Sequence, residues 1–289
     1  MVDARRMVFL VIVLLAFSGV GMAPAVPLQG VVAPAASTPI SELVRDLASP
    51  TPLVKILALR QLSQRPDEAA DFSVQIASLL TSGNAVALEA CETLKRLGPK
   101  AAPAIAALVG LLGGKDASAQ MLAARALSTM APGPEIEESL MGALSRALTA
   151  AKAHSPSQMI FESVVEANVA ADVATAIATL YPGSRRGVDL IEDALRRATS
   201  KPLLVTFAGA LGQMGDGGVE ALGRCLAREG ASRVPIVKAL AQKGSGIGRA
   251  IPALYSVLDD RDRLVRQTAC QAIRRFRGVA TDFYREPCF

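Results

Sequence analysis

This chain repeats itself, and that constrains its fold more than any other feature. Residues 98–130 and 244–276 align without a gap, so that GPKAAPAIAALVGLL lies over GSGIGRAIPALYSVL. In both copies a second apolar-periodic segment follows a turn containing Asp116 or Asp262. In the later copy, Val265, Ala269, Ala272, Ile273 and Phe276 fall at i, i+4, i+7, i+8 and i+11, which is one face of a helix. The same template starts again at Val54, Val86, Ala119, Val169, Leu203, Ser232 and Val265. Seven units of about 33 residues therefore fill residues 39–278, a period typical of stacked helix pairs.

The pattern predicts first helices over about 40–48, 71–81, 102–112, 135–152, 186–198, 218–228 and 247–258. Second helices are predicted over about 52–64, 84–97, 117–130, 157–180, 201–214, 232–243 and 262–277. Gly98-Pro99, Pro132-Gly133-Pro134, Pro182-Gly183, Gly215 and Gly244 punctuate the ends of second helices. Asp71, Asp116, Asp216 and Asp262 suit helix N-termini, where a carboxylate accepts from free backbone N–H groups. The fold class expected is all-α: an α-solenoid of about seven helix pairs, with a compact helical bundle as the alternative. The fourth unit is longer than the others by about 17 residues. The surplus lies between Met130 and Met159, as a lengthened first helix and a loop over 151–157.

AIPALYSVLDDRDRLVRQTACQAIRRF (250–276) resembles a HEAT repeat, and LGPKAAPAIAALVGLL (97–112) and MGDGGVEALGRCL (214–226) resemble its HEAT-like variants. The resemblance covers about 240 of the 289 residues and is specific for fold. It implies a scaffold more often than an enzyme. The Arg that such repeats place early in the second helix appears here only as Arg233 and Arg266, with Lys55 as a substitute. An interlocking Asp–Arg ladder of the usual kind is therefore not expected.

The N-terminus carries an export pattern. Arg5 and Arg6 precede the uncharged run Met7–Val20, and small residues with Pro lead to Ala23-Pro24-Ala25. Residues 1–25 are expected to be a cleaved signal peptide and 26–38 a flexible leader, followed by the repeats at 39–278 and a tail at 279–289. A retained anchor through residues 7–26 is the alternative, disfavoured by Gly19, Gly21 and Pro24 and by a strongly apolar run shorter than the roughly 20 residues a span needs. No other segment is apolar and long enough to cross a bilayer. The expected location is periplasmic or secreted.

Composition then removes chemistry. The chain has one His, His154, so catalytic triads and multi-His metal sites have no ligand set, and the iron chemistry of HEAT-like hydroxylases is excluded. No cofactor is expected. The glycine-rich stretches 215–218 and 244–248 lack a phosphate-loop Lys-Ser/Thr and read as turns. Basic clusters at Arg185-Arg186, Arg196-Arg197 and Arg274-Arg275-Arg277 are interleaved with acids, Trp is absent, and the formal charge is only +5, so nucleic acid is not an expected partner. HEAT-like bilin lyases also share this repeat and keep an enzyme or lyase-type accessory protein open as the alternative function.

Four cysteines allow three pairings, and in an exported protein a bridge is permitted. Cys91 and Cys270 hold the same template position five units apart, too far to bond. A bridge, if formed, joins Cys288 to Cys270 or Cys225. The tail VATDFYREPCF is aromatic-rich and reads as a cap on the exposed end of the array, or as a short docking motif.

The functional expectation rests on one row of the template. At 100° per residue, position 267 lies opposite the helix core. Its seven equivalents are Ile56, Leu88, Met121, Ala171, Val205, Val234 and Gln267, six of them apolar. The neighbouring row carries Arg60, Arg125 and Lys238. An apolar ridge with basic flanks on the inner side of an arc suits an extended peptide or amphipathic helix. The chain is thus expected to be a non-enzymatic, exported scaffold for a protein or peptide. Its binding residues would be Ile56, Leu88, Met121, Val205, Val234, Arg60, Arg125 and Lys238.

Overall fold

The computed structural model describes residues 38–153, 162–198, 200–228 and 233–277. These residues form helices and turns, with no strand among them. In chain order the α-helices are α1 (Ile40–Leu47), α2 (Pro52–Ser63), α3 (Pro66–Ala69), α4 (Ser73–Ser78), α5 (Asn84–Leu97), α6 (Ile105–Gly113), α7 (Ala117–Leu127) and α8 (Pro134–Ala153). They continue as α9 (Glu162–Leu180), α10 (Arg185–Arg197), α11 (Lys201–Gln213), α12 (Gly215–Leu226), α13 (Arg233–Lys243), α14 (Ile251–Tyr255) and α15 (Arg263–Phe276). The second helices α2, α5, α7, α9, α11, α13 and α15 pack on one another in sequence, and the first helices form a parallel layer beside them. The array is an all-α solenoid.

The first helices are less regular than the periodicity predicts. The segment 71–81 is not one helix. It begins in a 3-10 turn at Ala70–Phe72 that follows α3, and continues as α4 and a second 3-10 turn at Leu79–Thr81. The third and seventh units enter through 3-10 turns at Gly98–Ala104 and Gly244–Ala250 before α6 and α14. Pro99 and Pro103 in the one and the Gly-rich run in the other remove donors and helix propensity at those places. In the fourth unit α8 extends to Ala153, so the loop begins later than residue 151. His154 and the rest of that loop to residue 161 lie outside the described residues, as do the export segment and the tail.

Local signals divide according to geometry. Asp116 accepts from the N–H groups of Ser118 and Ala119 at 2.9 and 3.2 Å, and Asp262 from Leu264 at 2.8 Å. Asp71 and Asp216 make no such cap, because the first sits inside a 3-10 turn and the second lies past the N-cap position, held by Met214. Gly98, Gly215 and Gly244 have φ of 53°, 62° and 66°, the left-handed region where an L side chain is strained. Gly218 serves another purpose: a Cβ there would meet the Leu211 carbonyl oxygen at 1.9 Å, so α11 and α12 can approach only without it.

The template face is buried as its spacing requires at Val265, Ala269, Ala272 and Ile273. Phe276 departs from it and remains 40% exposed. It lies on the last turn of α15, beside Gly248, and no described helix packs over its outer side.

Two rows of the second helices join neighbouring units. The row equivalent to 270 reads Leu59, Cys91, Ala124, Ala174, Ala208 and Val237 in the first six units, every one at most 2% exposed. It faces the next unit, where Cys91 Sγ donates to the Leu122 carbonyl. The row equivalent to 272 faces the previous unit, as Thr93 Oγ1 shows by donating to the Leu59 carbonyl. That row reads Thr93, Ala126, Ala176, Ala210, Ala239 and Ala272 from the second unit onward, all buried. In the first unit it is Gln61, which is exposed. Small residues on the abutting rows let the helix axes approach to roughly 8–10 Å.

Arginines stitch the layers further. Arg96 donates to Ser63 Oγ, and Arg275, at the equivalent position, to the Ala241 carbonyl, each near the C-terminus of the preceding second helix. Arg146 reaches the Leu112 carbonyl at the end of α6, and Arg197 the Leu148 carbonyl inside α8. At Leu112 and Ala241 the cation satisfies a carbonyl in the last turn of a helix and complements the helix dipole. Replacing Asp116 by Ala should lower the stability of the chain by about 1 kcal/mol, measured by chemical denaturation, because two backbone donors lose their acceptor.

Candidate functional site

The predicted ridge lies on the surface of the second-helix layer. Leu88 is 51% exposed and Val205 52%. Ile56, Met121, Ala171 and Val234 are half-buried, resting on the core while keeping part of their side chains outward, and Gln267 is exposed. No member of the row is buried. Leu88 and Val205 belong to the second and fifth units, three steps apart, which spaces them on the order of 25–30 Å at 8–10 Å per step.

The basic flank is arranged differently from a row of open cations. Arg60 Nε donates to Glu89 at 3.1 Å, and Arg125 pairs with Asp172 at 3.0 Å. Both acids hold the same template position in the following unit, so these two arginines staple consecutive second helices. Hydrogen bonding to Asp172 raises the Arg125 pKa further. Lys238 is exposed on α13, and the template position that carries Glu89 and Asp172 in earlier units is Thr268 in the unit after it. The ridge is thus apolar and flanked by paired charges at its first half and an open cation at its second. Sequence spacing alone missed the staples, although an acid 29 residues after Arg60 and 47 after Arg125 was a readable signal.

The first-helix layer holds the strongest charge network. Lys100–Asp67, Arg186–Glu138, Arg224–Glu192 and Arg249–Glu220 each link consecutive units. Arg233–Asp260 adds a link from α13 to the turn before α15. A ladder therefore exists, and most of its rungs lie in the first-helix layer. The basic clusters are engaged in it or nearby: Arg186 with Glu138, Arg196 with Glu192, Arg197 with Asp193, and Arg277 over the Tyr255 ring. Tyr181 OH donates to the Gly133 carbonyl at 2.7 Å and accepts from its N–H, tying the two ends of the long fourth unit together.

Glu192 is the one acidic side chain buried among the described residues, 3% exposed. Burial pushes its pKa up, but Arg224 at 2.5 Å and Arg196 outweigh this and hold the carboxyl below its ordinary value. A carboxylate that is ionised at neutral pH and doubly paired is a poor general acid or base. The nearby cavity, about 420 Å3, is lined in part by Arg185, Asp189, Asp216, Glu220, Arg224 and Arg249. Burial raises the Cys225 thiol and pushes that of Cys91 up to about 11, which disfavours thiolate at neutral pH. Among the described residues no three His, Cys, Asp or Glu side chains group as metal ligands, and no helix is long and apolar enough to cross a membrane.

No family model matches the chain, and no curated protein does. Among solved structures, the complex of CpcE and CpcF of phycocyanin lyase from Nostoc sp. PCC7120 contains a similar chain, at 15% identity and a TM-score of 0.45. The match covers 91% of this chain and 100% of that one. It is a likeness of helical architecture and carries no argument about activity.

A folded-state pKa held below the unfolded value stabilises the protein above the unfolded pKa, and the contribution is lost as pH falls through the folded one. Glu192→Gln should therefore destabilise the chain by about 1–3 kcal/mol at pH 7, given that Arg224 is partly solvated. Denaturation curves should show the gap between variant and parent shrinking below about pH 4.5, the ordinary value for Glu.

Proposed function

We propose that this protein is an exported, non-enzymatic scaffold whose second-helix ridge binds a peptide or an amphipathic helix of a partner protein. The observation that carries the reading is the row Ile56, Leu88, Met121, Ala171, Val205 and Val234: six consecutive units place an apolar side chain at the position that the helical angle sets opposite the buried face, and none of the six is buried. Water favours polar residues there, and the half-exposed Leu88 and Val205 support this reading over a row hidden by tight curvature, while wide apolar arcs in an Ala-rich chain are the rival explanation. Export is proposed from the N-terminal pattern of Arg5, Arg6 and the apolar run that follows.

The ridge length suggests the size of the occupant. Between Leu88 and Val205 an extended strand of about eight residues, or a helix of about 18, spans the distance. Ile56 and Leu88 sit beside the Arg60–Glu89 pair, which offers both signs of charge to a bound backbone or side chain. Val234 sits beside Lys238, which favours an acid at that end of the ligand. Main-chain and apolar contacts supply affinity in such complexes, and the charges set register.

The test is a displayed library of 20-residue peptides selected against the full chain, with the selected peptide titrated against parent and variant. Leu88→Glu combined with Val205→Glu should change stability by no more than about 0.5 kcal/mol per site, since both side chains are largely solvated. The same pair should weaken peptide binding at least tenfold. Equal affinity in parent and variant, with the fold intact, contradicts the assignment.

A further inference from the structure

A cavity opens on the first-helix side of the stack. Its volume of about 420 Å3 falls within the roughly 300–1,000 Å3 of small-molecule sites. Three consecutive units line it, with Arg185 and Asp189 from α10, Gly217 and Glu220 from α12, and Arg249 from the 3-10 turn before α14. Val188 and Met214, 6% and 2% exposed, give it an apolar wall.

Its charges fall into two groups. Glu220 pairs with Arg224 at 3.2 Å and with Arg249 at 3.3 Å, and Asp216 lies 3.7 Å from Arg249. Arg185 and Asp189 take part in no ion pair among the described residues. They stand one helical turn apart on α10, the spacing at which an arginine and a carboxylate ordinarily meet. Here both line the cavity and neither has a partner. One open cation and one open anion on the same volume call for a ligand that carries both signs. The lining as a whole sets Arg185, Arg224 and Arg249 against Asp189, Asp216 and Glu220, so a polyanion or a polycation gains no net attraction.

Two glycines keep the space open. Gly183 and Gly217 line the cavity, and neither has a left-handed φ. A Cβ at Gly183 would meet nothing within 4 Å, and one at Gly217 would meet only Val188 Cγ2 at 3.6 Å, an ordinary contact. Neither packing nor backbone conformation requires glycine at these places, and Gly217 lowers the helix propensity of the first turn of α12. The missing Cβ of Gly217 leaves the Val188 wall reachable.

We propose that this cavity binds a free α-amino acid with an apolar side chain. Its carboxylate accepts two hydrogen bonds from the Arg185 guanidinium, its ammonium donates to Asp189, and its side chain rests on Val188 and Met214 beside Gly217. The planar guanidinium fork matches a carboxylate. An amino acid carries its two charges on one carbon, close enough to bridge side chains one helical turn apart. Because three units line the cavity, the ligand ties them together, and stability rises with its concentration. The site shares no residue with the ridge.

The experiment titrates L-leucine into the full chain by calorimetry. It is repeated with L-leucinamide, which lacks the carboxylate, and with N-acetyl-L-leucine, which lacks the ammonium. Arg185→Gln, Asp189→Asn and Gly217→Ala are measured beside the parent, with circular dichroism and melting temperature reporting the fold. L-Leucine should bind once per chain and raise the melting temperature, and each analogue should bind about tenfold more weakly or worse. Arg185→Gln should weaken leucine by a similar factor and leave leucinamide unaffected. Asp189→Asn should weaken leucine and leave N-acetyl-leucine unaffected. Gly217→Ala should keep or raise the melting temperature of the unliganded chain, yet weaken leucine several-fold. The absence of saturable binding by L-leucine, L-valine and L-methionine up to about 10 mM overturns the proposal. So does equal affinity for leucine and its two analogues, or equal affinity of parent and variants for leucine.

Discussion

The abutment of small, buried side chains between one second helix and the next holds this structure together. Ala124, Ala174 and Ala208 meet Ala176, Ala210 and Ala239 of the next second helix, and every one of these residues is buried. A single helix pair exposes both rows and gains nothing by folding alone. Stacking buries them, and the free energy of the array becomes a sum of neighbour terms. Alanine is suited to this because it loses no side-chain entropy on burial and has the highest helix propensity. The same helices can then leave the opposite side free, which is where Leu88 and Val205 stand.

Polar links follow from the stack and fix its register. The Arg96–Ser63 and Arg275–Ala241 contacts recur at one template position, and Arg60–Glu89 and Arg125–Asp172 at another. Each pair is exposed on one side and individually worth little. Their value lies in geometry: an arginine that reaches a particular carbonyl or carboxylate in the next unit sets the rotation between helix pairs. The first-helix layer uses ion pairs between consecutive units for the same purpose, with Glu192 as its buried centre.

The second helices were legible in the sequence almost to the residue, because a period near 3.6 over eleven to nineteen residues has few competitors. Asp116 and Asp262 were legible as caps for the same reason: each immediately precedes a strong periodic segment. Asp71 and Asp216 were not, because the first helices they were assigned to are short or start elsewhere, and one-turn pieces such as α3 and α4 carry too little periodicity to locate their ends. Phe276 matched the core face by spacing, yet its burial depended on a neighbour that spacing cannot supply. The ridge positions were found from angle alone. The pairing of Arg60 and Arg125 was missed because a charge read along one helix says nothing about what the adjacent unit places beside it.

The ridge requires Leu88 and Val205 to lie on one face of one stack, three units apart, rather than on two sides of a compact bundle. Spin labels at cysteines substituted for these two residues, in a chain whose Cys91 and Cys225 are shielded by burial, measure that separation directly by dipolar spectroscopy. A narrow distribution centred on the order of 25–30 Å is predicted from three stacking steps. A centre below about 15 Å, where facing helices of a compact bundle would place the labels, would contradict the stack and with it the ridge.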